Sequence, residues 1–245
     1  MDDLQRILME NVAVVVALGL VALTTVVWIL LSRFKVKRDH VLLVGLSGSG
    51  KTLLLCRLLE ASGCPTTFTS QQENIVENVA LHCGKGGAQR QFTVVDAPGP
   101  SPTNFSQFSP FIWRKLAAVL FLVDSAQFQN ESRDVAELLY ETLCALGRRP
   151  SARLLILCNK QTEIGAKSAQ AMKTALQREL ELLTRSRKAA LQATSGVEDT
   201  QKDILPENFR LDDHNNKVTF AECTLKDEAA DCDMDELAEF FQKHF

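Results

Sequence analysis

Val41-Leu42-Leu43-Val44-Gly45-Leu46-Ser47-Gly48-Ser49-Gly50-Lys51-Thr52 is the stretch on which the fold turns. Four apolar residues in a row suit a strand buried on both faces, as in a parallel sheet. The next eight match G-x-x-x-x-G-K-[ST] in full. Gly45, Gly48 and Gly50 let the backbone curl, with Ser47 and Ser49 between them, until its N–H groups point inward at phosphate oxygens. Lys51 supplies a positive point charge for the outer phosphates, and Thr52 a hydroxyl ligand for Mg²⁺. A helix expected over 51–60 turns its positive end toward the same phosphates. Leu53, Leu54, Leu58 and Leu59 are its expected inner face. Strand, loop and helix in that order argue against a Gly/Ser turn with an accidental lysine.

Further strands follow. Gln91-Phe92-Thr93-Val94-Val95 ends in Asp96-Ala97-Pro98-Gly99. A carboxylate at a strand end beside a phosphate loop can hold Mg²⁺ through water, and Gly99 can bring a backbone N–H to a γ-phosphate. Val119 to Asp124 is another buried strand. Leu154 to Cys158 closes on Asn159-Lys160-Gln161-Thr162. The Lys160 stem can cover a purine face while Asn159 ties its loop to the phosphate loop. Val218-Thr219-Phe220 leads into Glu222-Cys223-Thr224, a second base-side loop whose backbone can donate to a purine oxygen.

This set resembles the small Ras-like GTPases. Within them it is similar to the membrane-anchored beta subunits of the signal recognition particle receptor. The motifs are Gly45-Leu46-x-x-Ser49-Gly50-Lys51-Thr52, Asp96-x-Pro98-Gly99, Val123-Asp124-Ser125-Ala126, Asp134-Val135-Ala136-Glu137, Cys158-Asn159-Lys160-Gln161, Ala166-Lys167-Ser168-Ala169 and Glu222-Cys223. The resemblance implies GTP and Mg²⁺ as cofactors. It places Gly45, Ser47, Gly48, Ser49, Gly50, Lys51, Thr52, Thr69, Gly99, Asn159, Lys160, Thr162 and Cys223 around the nucleotide. Thr52, Thr69 and Asp96 fall around the metal, Asp96 through water. No residue is assigned a catalytic role. The resemblance also implies a heterodimer with the receptor's alpha subunit at the endoplasmic reticulum. Signal recognition particle, ribosome and translocation channel would be indirect partners.

Three positions depart from the family's pattern. Thr162 stands where an Asp usually accepts from guanine, which gives up a charge-assisted contact. Pro100 follows Gly99 where His is usual, so no side chain orients water and hydrolysis should be slow. The first switch segment, Cys64-Pro65-Thr66-Thr67-Phe68-Thr69-Ser70, offers Thr69 as the best-aligned Mg²⁺ ligand, with Thr66 and Thr67 as alternatives.

Residues 12–31 carry no charge. Twenty helical residues reach about 30 Å, the thickness of a bilayer core. Thr24 and Thr25 can bond within the helix, and Trp28 suits an interface. Acidic Asp2, Asp3 and Glu10 precede the run; Arg33, Lys35, Lys37 and Arg38 follow it. The positive flank stays cytosolic, so residues 1–11 are expected in the lumen. An acidic front and a long apolar core do not fit a signal peptide. The expectation is a single-pass anchor in the endoplasmic reticulum membrane, with the lipid bilayer as a partner.

The net charge is −3, which gives no support to nucleic-acid binding by bulk charge. The seven Cys form no C-x-x-C pair, so neither a zinc module nor a disulfide scaffold is expected. The expected architecture is α/β. A transmembrane helix and a basic linker at 32–38 precede a Ras-like P-loop domain over 39–245, a doubly wound, mostly parallel six-stranded sheet. Strands are expected near 41–45, 74–81, 90–95, 118–124, 153–158 and 217–221. Ile75, Val79 and Leu81 should alternate into the core, and the resemblance makes that strand antiparallel. Helices are expected near 51–60, 107–115, 131–146, 166–184 and 233–244. A polar insertion is expected near 185–216. Phe105, Phe108, Phe111 and Trp113 crowd the segment after Gly99; some of them are expected in the core, and such crowding also suits a nucleotide-dependent interface. Competing readings are an Arf/Sar-type trafficking GTPase and a non-catalytic pseudo-GTPase scaffold.

Overall fold

The computed structural model describes residues 12, 14, 16–28, 38–59, 74–83, 88–97, 110–147, 152–193, 205–206, 209–213, 218–226 and 232–245. The chain divides into two units, Met1–Lys37 and Arg38–Phe245.

In the first unit residues 16–28 are helical. Thr24 Oγ1 donates to the Val21 carbonyl at 2.9 Å and Thr25 Oγ1 to that of Ala22 at 2.8 Å. Both hydroxyls are thus satisfied within the helix, as expected. Its large apolar side chains from Val16 to Trp28 are all exposed within the unit. No helix among the described residues is long and apolar enough to cross a membrane. Residues 13, 15 and 29–31 of the expected span lie outside the described set.

The second unit contains strands β1 (His40–Gly45), β2 (Asn74–Cys83), β3 (Ala88–Asp96), β4 (Leu116–Asp124), β5 (Arg153–Asn159) and β6 (Val218–Glu222). Its helices are α1 (Lys51–Leu58), α2 (Pro110–Lys115), α3 (Phe128–Gly147), α4 (Ala169–Ala193) and α5 (Asp235–His244). One sheet runs in the order β2-β3-β1-β4-β5-β6. All pairings are parallel except that of β2 with β3. Parallel pairing gathers the carboxyl ends of five strands at one edge. Gly45, Asp96, Asp124, Asn159 and Glu222 therefore share that edge, where ligands of open α/β sheets bind.

The pleat divides the core in two. Leu42 and Val44 face one side with Val119, Phe121, α3 and α4; Val41 and Leu43 face the other with α1 and α5. Of the inward positions that helical spacing predicts, Val135, Leu138, Leu139 and Leu143 of α3 and Met172, Leu176, Leu180 and Leu183 of α4 are buried, while Ala169 at the start of α4 is half-buried.

Several expectations are corrected. In α1 the buried apolar residues are Leu54 and Leu55, while Leu53 and Leu58 are half-buried and Leu59 is exposed. Arg57 is buried instead, because its guanidinium donates twice to the Lys226 carbonyl, at 3.2 and 2.9 Å. In β2, Ile75 is exposed while Val79 and Leu81 are buried. The register against β3 shifts between Val76 and Val79, and Asn78 sits at φ 61°. One extra residue flips the face assignment, so Val76 rather than Ile75 packs on the core with Val79.

The helix expected over 166–184 runs instead from Ala169 to Ala193. Its last turns lack apolar periodicity but consist largely of strong helix formers, Arg, Lys, Ala, Leu and Gln. The expected polar insertion near 185–216 therefore begins as helix. Its later part returns to the core: Leu205, Phe209 and Leu211 are buried. Gln177 holds this segment, Nε2 donating to the Phe209 carbonyl at 2.7 Å and Oε1 accepting from the Leu211 N–H at 2.9 Å. The buried Tyr140 hydroxyl accepts from the Leu205 N–H at 3.2 Å. Thr66, Thr67, Thr69, Gly99, Pro100, Phe105 and Phe108 lie outside the described residues, as does the Phe111 side chain. Ile112 is buried and Trp113 packs against the core.

Candidate nucleotide-binding site

The loop between β1 and α1 is held tightly. Gly50 has φ 98°, and a Cβ there would collide with the Asn159 amide. A Cβ on Gly45 would collide with the Leu122 carbonyl and stand 2.8 Å from Ser49 Oγ. These two positions need glycine because backbone and neighbour approach too closely for any side chain.

Lys51 is buried. Its Nζ donates to the carbonyls of Gly45, at 2.8 Å, and Leu46, at 2.7 Å, so the ammonium spans the mouth of its own loop. Burial lowers its pKa from 10.5 to about 8, and the Asp96 charge opposes that shift. Asp96 is fully buried at the end of β3. Burial raises its pKa, against the Thr52 hydroxyl, the Lys51 charge and the Asn74 side chain. Thr52 Oγ1 donates to Asp96 Oδ2 at 3.0 Å.

Among the described residues two buried side-chain polar atoms make no hydrogen bond, Ser49 Oγ and Asp96 Oδ1. Buried polar groups are otherwise almost always paired. A hydroxyl donor in the loop and a carboxylate oxygen beside Thr52 fit an anionic phosphate with a divalent cation. Among the described residues no group of three or more His, Cys, Asp or Glu could hold a metal ion. A hydroxyl and one carboxylate, completed by phosphate oxygens and water, is how Mg²⁺ is held in such sites.

Asn159 joins three segments. Nδ2 donates to the Ser49 carbonyl at 2.9 Å; Oδ1 accepts from the N–H groups of Lys160, at 2.7 Å, and Leu225, at 3.0 Å. The tie to the phosphate loop expected from the sequence is therefore present. Lys160 turns at φ 65°, and its Nζ meets Asp124 Oδ2 at 2.6 Å. Asp124 Oδ1 accepts from the N–H groups of Ala126 and Gln127. Thr162 is exposed on the turn beyond. Cys223 is buried, its N–H given to the Cys158 carbonyl and its own carbonyl taken by the Gln161 N–H. Burial raises the pKa of both Cys158 and Cys223, the latter to about 12, so both remain neutral thiols.

The structure thus gathers Gly45, Ser47, Gly48, Ser49, Gly50, Lys51, Thr52, Asp96, Asn159, Lys160 and Cys223 along one sheet edge, with Thr162 at its margin. Sequence reasoning missed Gln161, whose Nε2 donates to Ser125 Oγ at 2.9 Å, the Lys167 carbonyl at 3.0 Å and the Cys158 carbonyl at 3.4 Å. It also missed Glu222, whose Oε1 accepts from the Ala169 N–H at the start of α4. No local pattern marks either role, because the contacts that tie Gln161 to Ser125 and Glu222 to Ala169 join segments far apart in sequence.

A phosphate loop after the first strand, an acidic strand end beside it and an Asn-Lys loop across the sheet define a Ras-like P-loop GTPase domain. The family of the signal recognition particle receptor beta subunit matches residues 36–218. The chain belongs to that family. The beta subunit of this receptor from Homo sapiens is 35% identical over 228 residues, covering 92% of this chain and 82% of the relative. The Mus musculus subunit is 35% identical over 233 residues, covering 92% and 84%. Among solved structures, a chain of the mammalian SRP receptor superposes with a TM-score of 0.64 at 33% identity, covering 84% of this chain and all of that one. A chain of the SRb-GTP/SRX complex from Chaetomium thermophilum superposes with a TM-score of 0.65 at 22% identity, covering 85% and 99%, a likeness of fold.

Proposed function

We propose that this chain binds Mg²⁺·GTP and serves as the membrane-anchored beta subunit of the signal recognition particle receptor. In this role it holds the alpha subunit at the endoplasmic reticulum and supports delivery of translating ribosomes to the translocation channel. The observation that carries the nucleotide reading is the Thr52–Asp96 pair, with Asp96 Oδ1 and Ser49 Oγ left without partners beside a buried Lys51. Lys51 and the loop backbone would hold the phosphates, Thr52 and Asp96 the Mg²⁺, and Asn159 and Lys160 the base side. Thr69 and Gly99 complete the assignment from the sequence. The bound cation neutralises phosphate charge. The relative in the Chaetomium complex is named with GTP and a second chain, SRX.

Anchoring is proposed from the charge-free run 12–31, whose described helix exposes apolar side chains all round. Soluble helices rarely do so, whereas lipid requires it. The asymmetric flanks favour a lumenal amino terminus and a cytosolic GTPase domain. Pro100 favours slow hydrolysis, and hence an assembly platform gated by GTP occupancy over a rapidly cycling enzyme.

The test is capture of the amino-terminal domain of the receptor alpha subunit by the detergent-solubilised chain. Capture should succeed with GTP or a non-hydrolysable analogue and fall sharply with GDP. Equal capture in GTP, GDP and nucleotide-free states would remove the switch and leave a scaffold. Resistance to carbonate extraction tests the anchor; recovery in the soluble wash would overturn it.

A further inference from the structure

We propose that the base side of this site does not read the substituent at purine C2, so that ITP binds about as well as GTP. The inference rests on the nucleotide reading above and deepens it. Guanine differs from hypoxanthine by one amino group at C2, a hydrogen-bond donor. Telling the two apart takes a well-placed acceptor, and a carboxylate is the strong one.

Among the described residues, the carboxylates of the base-side loops other than Glu163 already accept hydrogen bonds within the protein. Asp124 gives Oδ2 to Lys160 Nζ and Oδ1 to two backbone N–H groups. Glu222 caps Ala169. Asp233 Oδ1 accepts from the Asp235 N–H. Glu163 is exposed.

Glu163 would take the place of Thr162 after a one-residue slip of the turn, and both ends of the turn are pinned. On one side stand the Lys160–Asp124 contact and the three acceptors converging on Gln161 Nε2. On the other, the Lys167 N–H donates to the Ser125 carbonyl at 3.0 Å. Within the turn, the Glu163 N–H donates to the Lys160 carbonyl at 3.0 Å and the Ala166 N–H to that of Glu163 at 3.2 Å. A slip would break the Lys160 and Gln161 contacts together. Thr162, neutral and exposed, therefore keeps the position from which an acidic residue would read the amino group.

The experiment is titration calorimetry of the full chain in detergent, stripped of nucleotide, with GTP and with ITP in the presence of Mg²⁺. The wild type should prefer GTP by less than about fivefold. Thr162→Asp should widen that preference to about tenfold or more, chiefly by tightening GTP. Glu163→Gln should leave both affinities unchanged. A wild-type preference of about fivefold or more overturns the inference while leaving the GTP site intact. A T162D variant that does not widen the gap, or an E163Q variant that weakens GTP selectively, also overturns it. Binding of neither nucleotide to wild type would overturn the nucleotide reading itself, and the inference with it.

Discussion

Lys51→Met tests the electrostatics of the phosphate loop where it is most exposed to measurement. The wild-type ammonium is buried, with a pKa of about 8 against an ordinary 10.5. A gap of that size means that folding charges the protein roughly 3 kcal/mol for keeping Lys51 protonated at pH 7. Methionine fills a similar volume without charge. It forfeits the donations to Gly45 and Leu46, each worth about 1 kcal/mol. The nucleotide-free variant should therefore unfold in urea at a stability equal to wild type or up to about 2 kcal/mol higher.

The pH dependence is the sharper signature. The folded pKa lies below the unfolded one, so the unfolded chain binds the extra proton between pH 8 and 10.5. Wild-type stability relative to the variant is lowest below pH 8. It should recover by about 1.4 kcal/mol per pH unit as pH rises toward 10.5. Urea melts of both proteins at matched pH values from 7 to 9.5 measure the difference directly. Mg²⁺·GTP should then stabilise wild type by mass action and leave K51M unmoved. A difference independent of pH, or equal stabilisation of both by GTP, would refute the argument.

Asn159→Ala leaves the Ser49 carbonyl and the Leu225 N–H buried without partners. A loss of about 2 to 4 kcal/mol in urea unfolding is expected, and a loss under about 1 would mean that the loops are held by other contacts. Asn78→Val forces a β-branched residue to φ 61° at the bulge in β2 and should cost about 1 to 3 kcal/mol, whereas Asn78→Gly should be near neutral. Comparing the two variants by thermal unfolding separates backbone strain from loss of the side chain.

The helical and strand content of this chain is written locally. Four consecutive apolar residues before Gly45, and the Leu and Val spacing of α3, specify their elements because burial on a sheet or one helix face demands that periodicity. The phosphate loop is likewise local, since glycines and a lysine at fixed spacing act through their own backbone. The family was legible for the same reason, its motifs being short and sequential.

What the tertiary structure decided is non-local. One extra residue at Asn78 set which face of β2 is buried, and no alternation count reveals a bulge whose register depends on β3. The return of Leu205, Phe209 and Leu211 to the core was hidden, because a segment without periodicity can still be fastened by the side chains of Tyr140 and Gln177, far away in sequence. The lowered pKa of Lys51 and the bonds that Asn159 and Gln161 make across loops exist only once parallel pairing has brought five strand ends to one edge. Hydrogen bonding and desolvation depend on where neighbours end up in space, and composition along the chain carries no record of that distance.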